Sequence, residues 1–159
     1  MIVTEVAIGA VMTAITVTIH ALFMAVLFER LRARRLRMDS GWRRSVLIVS
    51  VIVWFFLAIA AESWAWAALF YFVGAFQDME TAVYFTTVTY TTLGYGDIVL
   101  EPGLRLLGAF AAANGTIVIG WTTALVFLVV QQVYGLHFVT ESAAKHPGAD
   151  AGRGRRRRR

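Results

Sequence analysis

The sequence predicts an all-α membrane protein: three spanning helices, one short helix too brief to cross, and a glycine-bearing loop behind it. Three observations carry this. Of the 159 residues, 58% are hydrophobic and only 16% charged, against about 25% charged in soluble domains. The runs Val6–Phe28, Ser45–Ala61 and Leu106–Thr140 contain no Asp, Glu, Lys or Arg, and about 20 apolar residues at about 1.5 Å rise cross a bilayer core of about 30 Å. The bases behind the net charge of +5 gather in two places, Arg30, Arg32, Arg34, Arg35, Arg37, Arg43 and Arg44 between the first two runs, and Lys145, Arg153 and Arg155–Arg159 in the tail. Three crossings put both on one side. The other side receives Glu5, Glu62, Asp78, Glu80, Asp97 and Glu101 with Arg105 the only base, so the positive-inside rule predicts a plasma-membrane protein with its N-terminus outside and its tail in the cytosol.

The same distribution argues against a nucleic-acid partner. With no cysteine there is no disulfide framework or thiolate metal site. His20, His137 and His146 lack zinc-like spacing and no phosphate-binding loop is present, so neither an enzyme nor a cofactor is expected.

Residues 1–28 read as a retained helix and not a cleaved signal. They lack a basic start, begin with Glu5, and outrun the apolar core of about 7 to 15 residues that a signal uses. Thr13, Thr16, Thr18 and His20 fall inside the membrane, where polar groups bond to neighbours or backbone. His20 is read as a helix-contact residue ahead of a gating or proton-sensing role. Residues 29–44 form a basic cytosolic connector. A voltage sensor is disfavoured, because arginine costs about 2.5 to 3.5 kcal/mol each at mid-bilayer and these lack the every-third spacing of one protein-facing stripe.

Residues 45–138 form the main domain. From Ser45 a helix rises about 25 Å by Glu62, which is therefore expected near the outer interface, where it need not be buried. Trp64, Trp66 and Tyr71 fit an aromatic belt, while Ser63–Phe76 reads equally as helix or as interfacial chain. Gly74, Asp78 and Glu80 mark a break. The short helix, about 79–91, is capped by Asp78 and has Glu80 at the positive end of its dipole. Its β-branched Val83, Thr86, Thr87, Val88 and Thr89 disfavour helix, so tertiary context has to override propensity. A loop at 92–97 and a last helix at about 103–135 follow. Residues 139–159 are expected to be a disordered basic tail, with anionic-lipid binding and a non-native extension standing level as explanations.

Non-helical backbone at membrane depth is tolerated only where protein buries it or where it lines a water-filled cavity. In the loop, Gly94 and Gly96 alternate with other residues, and glycine takes φ > 0 without a Cβ clash. Alternation of that kind turns successive carbonyls to one side, a column of neutral oxygens able to replace the hydration shell of a monovalent cation. The Thr92 hydroxyl adds a ligand at the inner end. One chain supplies one wall, so several copies have to surround the axis.

The run Thr91-Thr92-Leu93-Gly94-Tyr95-Gly96-Asp97 resembles the selectivity-filter signature of the potassium channels. The resemblance extends from Ser45 to about Gln132, through the Trp-rich outer segment, Leu93–Leu100, Asn114-Gly115 and Gly120–Ala124, and is closest to small bacterial two-helix pore units. The first helix is an addition to that plan. The resemblance implies a homotetramer, each chain assembling with three further copies of itself among membrane lipid, with potassium as the permeating ion. The carbonyls of Thr92, Leu93, Gly94 and Tyr95 would coordinate it, Gly96 would complete the filter and Asp97 would stand at its mouth. Tyr95 would pack behind the filter against Tyr84 and Phe85, and the short helix would aim its negative end at the central cavity.

Leu93 stands where valine is commonest, and Val88 where some relatives place a glutamate that braces the filter aspartate, so Asp97 needs another partner. In the last helix Gly115 reads level as a hinge or as a close-packing position. With a hinge there, Thr116, Ile119 and Thr123 share the cavity-facing stripe, and Asn114 and the threonines would hydrate the ion. The competing readings are a non-selective cation channel and a non-conducting regulatory membrane subunit. Both glycines and Tyr95 favour the potassium-selective one.

Overall fold

The computed structural model describes residues 2–33 and 41–134, and these form four helices in order with no strand among them. Arg34, Arg35, Arg37, residues 135–138 at the end of the expected main domain and the whole basic tail lie outside the described residues. The first helix, α1, is Ile2–Ala33. The hydroxyls of Thr13 and Thr18 donate to the carbonyls of Gly9 and Ala14 at 2.8 and 2.7 Å, so they satisfy themselves on their own backbone, whereas that of Thr16 lies within reach of both Met12 O at 2.9 Å and Asn114 Oδ1 at 2.7 Å. Arg30 and Arg32, expected in a connector, belong to its last turn.

The second helix, α2, is Gly41–Phe72 and carries Arg43 and Arg44 near its start. It ends at Gly74, whose φ of 76° places it in the left-handed region. Gly74 N–H donates to Tyr71 O at 3.1 Å and Ala75 N–H to Phe70 O at 2.9 Å, the pairing by which a left-handed glycine closes the last turn. The segment after Glu62 is therefore helix, which resolves the open reading of Ser63–Phe76 up to Phe72. It also corrects the expectation for Glu62. With ten further residues of helix beyond it, Glu62 is completely buried.

The short helix α3, Met79–Tyr90, is capped by Asp78, whose Oδ1 accepts from Thr81 N–H at 2.7 Å. That bond holds the Asp78 carboxyl below its ordinary value of 3.8. Packing overrides the β-branched composition: Thr86 and Val88 are buried, and Thr87 and Ser63 of α2 lie within hydrogen-bond distance at 3.3 Å. The last helix, α4, is Arg105–Tyr134.

Helices α1, α2 and α4 pack on one another, and α3 sits against α2 and α4. One apolar cluster joins Trp66, Phe70, Phe85, Tyr90, Leu100, Leu107 and Ala111. In it Phe85 meets Phe70 edge-on at 5.5 Å, a geometry worth about 0.5 to 1.5 kcal/mol beyond buried area. A second cluster near the opposite end joins Leu27, Leu47, Val51, Phe55, Leu125 and Val129. The start of α1 reaches the first cluster through Ile8 and Met12, so α1 runs antiparallel to α2 and parallel to α4. All three long helices are long and apolar enough to cross a membrane, and each leaves large apolar side chains uncovered, among them Val11, Leu22, Phe56, Ile117 and Phe127. Such a surface is a liability in water and is solvated by lipid or by other copies in a bilayer.

Candidate functional site

The loop that follows α3 is built by folding the chain back onto the helix end. Thr91 caps the helix, its N–H donating to Thr87 O at 3.0 Å, and Thr92 N–H donates to Thr89 O at 3.0 Å. The Val88 carbonyl then accepts from both Leu93 N–H at 3.0 Å and Gly94 N–H at 3.1 Å. Two orphan carbonyls of the last turn are thereby satisfied while the chain reverses its handedness. Thr92, Gly94 and Gly96 all have positive φ, at 62°, 57° and 76°, and Leu93 and Tyr95 between them do not.

The two glycines were legible in advance. Thr92 was not: a β-branched residue with positive φ is uncommon and costs energy that surrounding structure has to supply. Thr91 through Asp97 are all exposed in the single chain. Tyr95 is 66% exposed and does not pack behind the loop within its own chain, because Phe85 is turned to Phe70 and Phe76.

Tyr84 is engaged instead by Asp97, donating from its hydroxyl to Oδ2 at 2.6 Å. This is the partner that Val88 left Asp97 without. The bond holds the Asp97 carboxyl below its ordinary value of 3.8 and pushes the Tyr84 phenol above its ordinary 10.0, so at neutral pH the pair is a charged acceptor with a neutral donor.

On α4 the expectations divide. Thr116 and Thr123 are exposed and Ile119 is half-buried, on one helix face by their spacing. Both threonine hydroxyls donate to the carbonyl four residues back, at 2.9 Å. Asn114 is a correction. It is 1% exposed and faces the protein interior, where its Oδ1 accepts from Trp66 Nε1 at 3.0 Å and lies within hydrogen-bond distance of the hydroxyls of Thr16 at 2.7 Å and Tyr90 at 3.2 Å. These partners hold it inside the chain. Gly115 is explained by contact: a Cβ there would stand 1.9 Å from the carbonyl oxygen of Tyr90, so the residue is required for α3 to end against α4.

Behind the loop lies a buried polar cluster that sequence reasoning missed. His20 Nδ1 stands 2.9 Å from Glu62 Oε1, and the Tyr90 hydroxyl donates to Glu62 Oε2 at 3.0 Å. The usable signal was an acid in the middle of an unbroken aromatic and apolar run, Trp54 to Phe72. Reading Trp64 and Trp66 as an interface belt hid it.

A family model described as ion channel matches residues 44–132, more than half of the chain, from the first turn of α2 through the loop to near the end of α4. The chain belongs to this ion-channel family and is a membrane protein. Its α1 lies outside the matched region. No curated protein and no solved structure matches the chain.

Proposed function

We propose that the chain is a subunit of a potassium-selective channel, a homotetramer in the plasma membrane with the N-terminus outside, passing dehydrated potassium between four copies of the Thr92–Gly96 backbone. The observation that carries the reading is the every-second-residue alternation of positive φ at Thr92, Gly94 and Gly96. An ordinary strand points its carbonyls alternately to opposite sides. Residues alternating between left- and right-handed conformations present them to one side, and a dehydrated cation needs several neutral oxygens there in place of water. The exposure of the whole loop in a single chain fits a wall that three further copies complete. Asp97 at the mouth adds negative charge where a cation would arrive, and the stripe of exposed Thr116 and Thr123 with half-buried Ile119 between them fits a cavity on the inner side.

The test is ion flux in liposomes reconstituted with the full chain, driven by a potassium gradient, with sodium as control and barium as blocker. The reading expects barium-sensitive potassium flux and little sodium flux. Equal flux of both ions would favour a non-selective channel, and no flux from correctly inserted tetramers a regulatory subunit. Gly94→Ala should bring potassium flux to background without preventing assembly. A Cβ there meets nothing within 4 Å, so the change acts through the left-handed backbone alone. Wild-type flux in that variant would remove the filter assignment.

A further inference from the structure

His20 of α1, Glu62 of α2, Tyr90 of α3 and Asn114 of α4 meet with no more than 1% of any of them exposed. Buried polar groups are costly unless partnered, and here both oxygens of Glu62 are: Oε1 with His20 Nδ1 at 2.9 Å, Oε2 with the Tyr90 hydroxyl at 3.0 Å. His20 is in turn fixed on every side. Its Nε2 lies 3.4 Å from Thr122 Oγ1 of α4, and its ring stacks on Phe55 of α2 at 5.5 Å and tilts against Trp121 of α4 at 5.0 Å. Glu62 is the charged group facing it from α2, α4 offers Thr122 and Trp121, and Tyr90 from α3 reaches it through Glu62.

Tyr90 is the last helical residue before the loop changes handedness at Thr92. It is held at both ends. Its carbonyl abuts Gly115, and its hydroxyl has one proton to share between Glu62 Oε2 at 3.0 Å and Asn114 Oδ1 at 3.2 Å. The Glu62 oxygen is the nearer acceptor of the two, so the position of Glu62 decides where the Tyr90 ring sits.

We propose that Glu62, oriented by His20, is the positioning residue of the filter, so that α1, the helix outside the family match, is part of the conduction apparatus. For its functional meaning this rests on the conduction reading above. When the Glu62 carboxyl is lost, the Tyr90 hydroxyl passes to Asn114, the end of α3 shifts, and the Val88 carbonyl no longer holds Leu93 and Gly94 as tightly.

The test is amide hydrogen exchange on the full chain in lipid nanodiscs, read at Leu93 and Gly94. Glu62→Gln and Tyr90→Phe should each speed exchange there by about tenfold, while amides around Val51 and Leu125 stay as in wild type. The double variant should do no more than either single one, since both break the same bond. Tyr90→Phe keeps the ring and removes only the hydroxyl, so it preserves packing. His20→Asn, which retains an N–H close to the Nδ1 position, should stay near wild type, whereas His20→Leu should reproduce Glu62→Gln. Unchanged exchange at Leu93 and Gly94 in Tyr90→Phe, or additive effects in the double variant, overturns the proposal. Where wild type conducts, the same variants should lose potassium over sodium selectivity. A wild-type chain that carries no potassium defeats the functional reading and leaves the exchange result to decide this one.

Discussion

At the scale of the residue, Asp97 shows how one substitution relocates an interaction. Val88 provides no carboxyl to brace it, and Tyr84, four residues earlier on the same helix, supplies a hydroxyl at 2.6 Å instead. Because the bond depresses the Asp97 carboxyl, its contribution is fully present above the ordinary value of 3.8 and is lost as pH falls through the still lower native value. Flux and tetramer integrity should therefore owe no pH dependence to this pair between pH 5 and 8, and should weaken below about pH 4. Asp97→Asn, compared with wild type across that range, should lose the acid-dependent part. An unchanged acid limb in the variant would assign it to another group. Glycine at 94 and 96 was legible because only glycine takes φ > 0 freely, but Thr92 was not, since the energy that holds it there comes from tertiary contacts the sequence does not display.

At the scale of the element, Gly115 and Gly120 look alike in sequence and differ in structure. A methyl at Gly115 would collide with the Tyr90 carbonyl oxygen at 1.9 Å, whereas one at Gly120 meets nothing within 4 Å. Gly115→Ala should lower the unfolding midpoint, by an equivalent of about 1 to 3 kcal/mol from overpacking. Gly120→Ala should be neutral or gain up to about 1 kcal/mol from helix propensity. Thermal unfolding in detergent checks both, and equal small effects would mean that α3 and α4 separate readily. The apolar runs were enough to find the long helices, and the Asp78 cap enough to start the short one. The length of α2 was not legible, because Glu62 reads as a boundary to any rule that keeps charge out of the membrane. Only the arrival of His20 and Tyr90 from other helices makes a buried carboxylate there tenable.

At the scale of the whole molecule, the proposal that Asp97 faces outside rests on two lines that share no residues: the arginine distribution, and the outward-facing filter aspartate of the potassium channels that the loop resembles. The chain has no cysteine, which makes single-cysteine labelling clean. A membrane-impermeant thiol reagent should reach Val99→Cys, exposed beside the loop, from the outside of intact cells, and Arg32→Cys only after permeabilisation. The reverse pattern would invert the topology. The proposed assembly is an inference: a single chain leaves Thr91–Asp97 uncovered, which fits neighbouring copies without saying how many. The inward placement of Asn114 was not legible either, because its partners Thr16, Trp66 and Tyr90 arrive from three other helices.

In the proposed channel, backbone oxygens of several copies surround a dehydrated ion. Anomalous diffraction from crystals of the full chain grown in rubidium or thallium measures this directly. A row of ion peaks is expected on a four-fold axis, level with the carbonyls of Thr92, Leu93, Gly94 and Tyr95. Peaks elsewhere, or copies packed with those carbonyls facing no common axis, would contradict it.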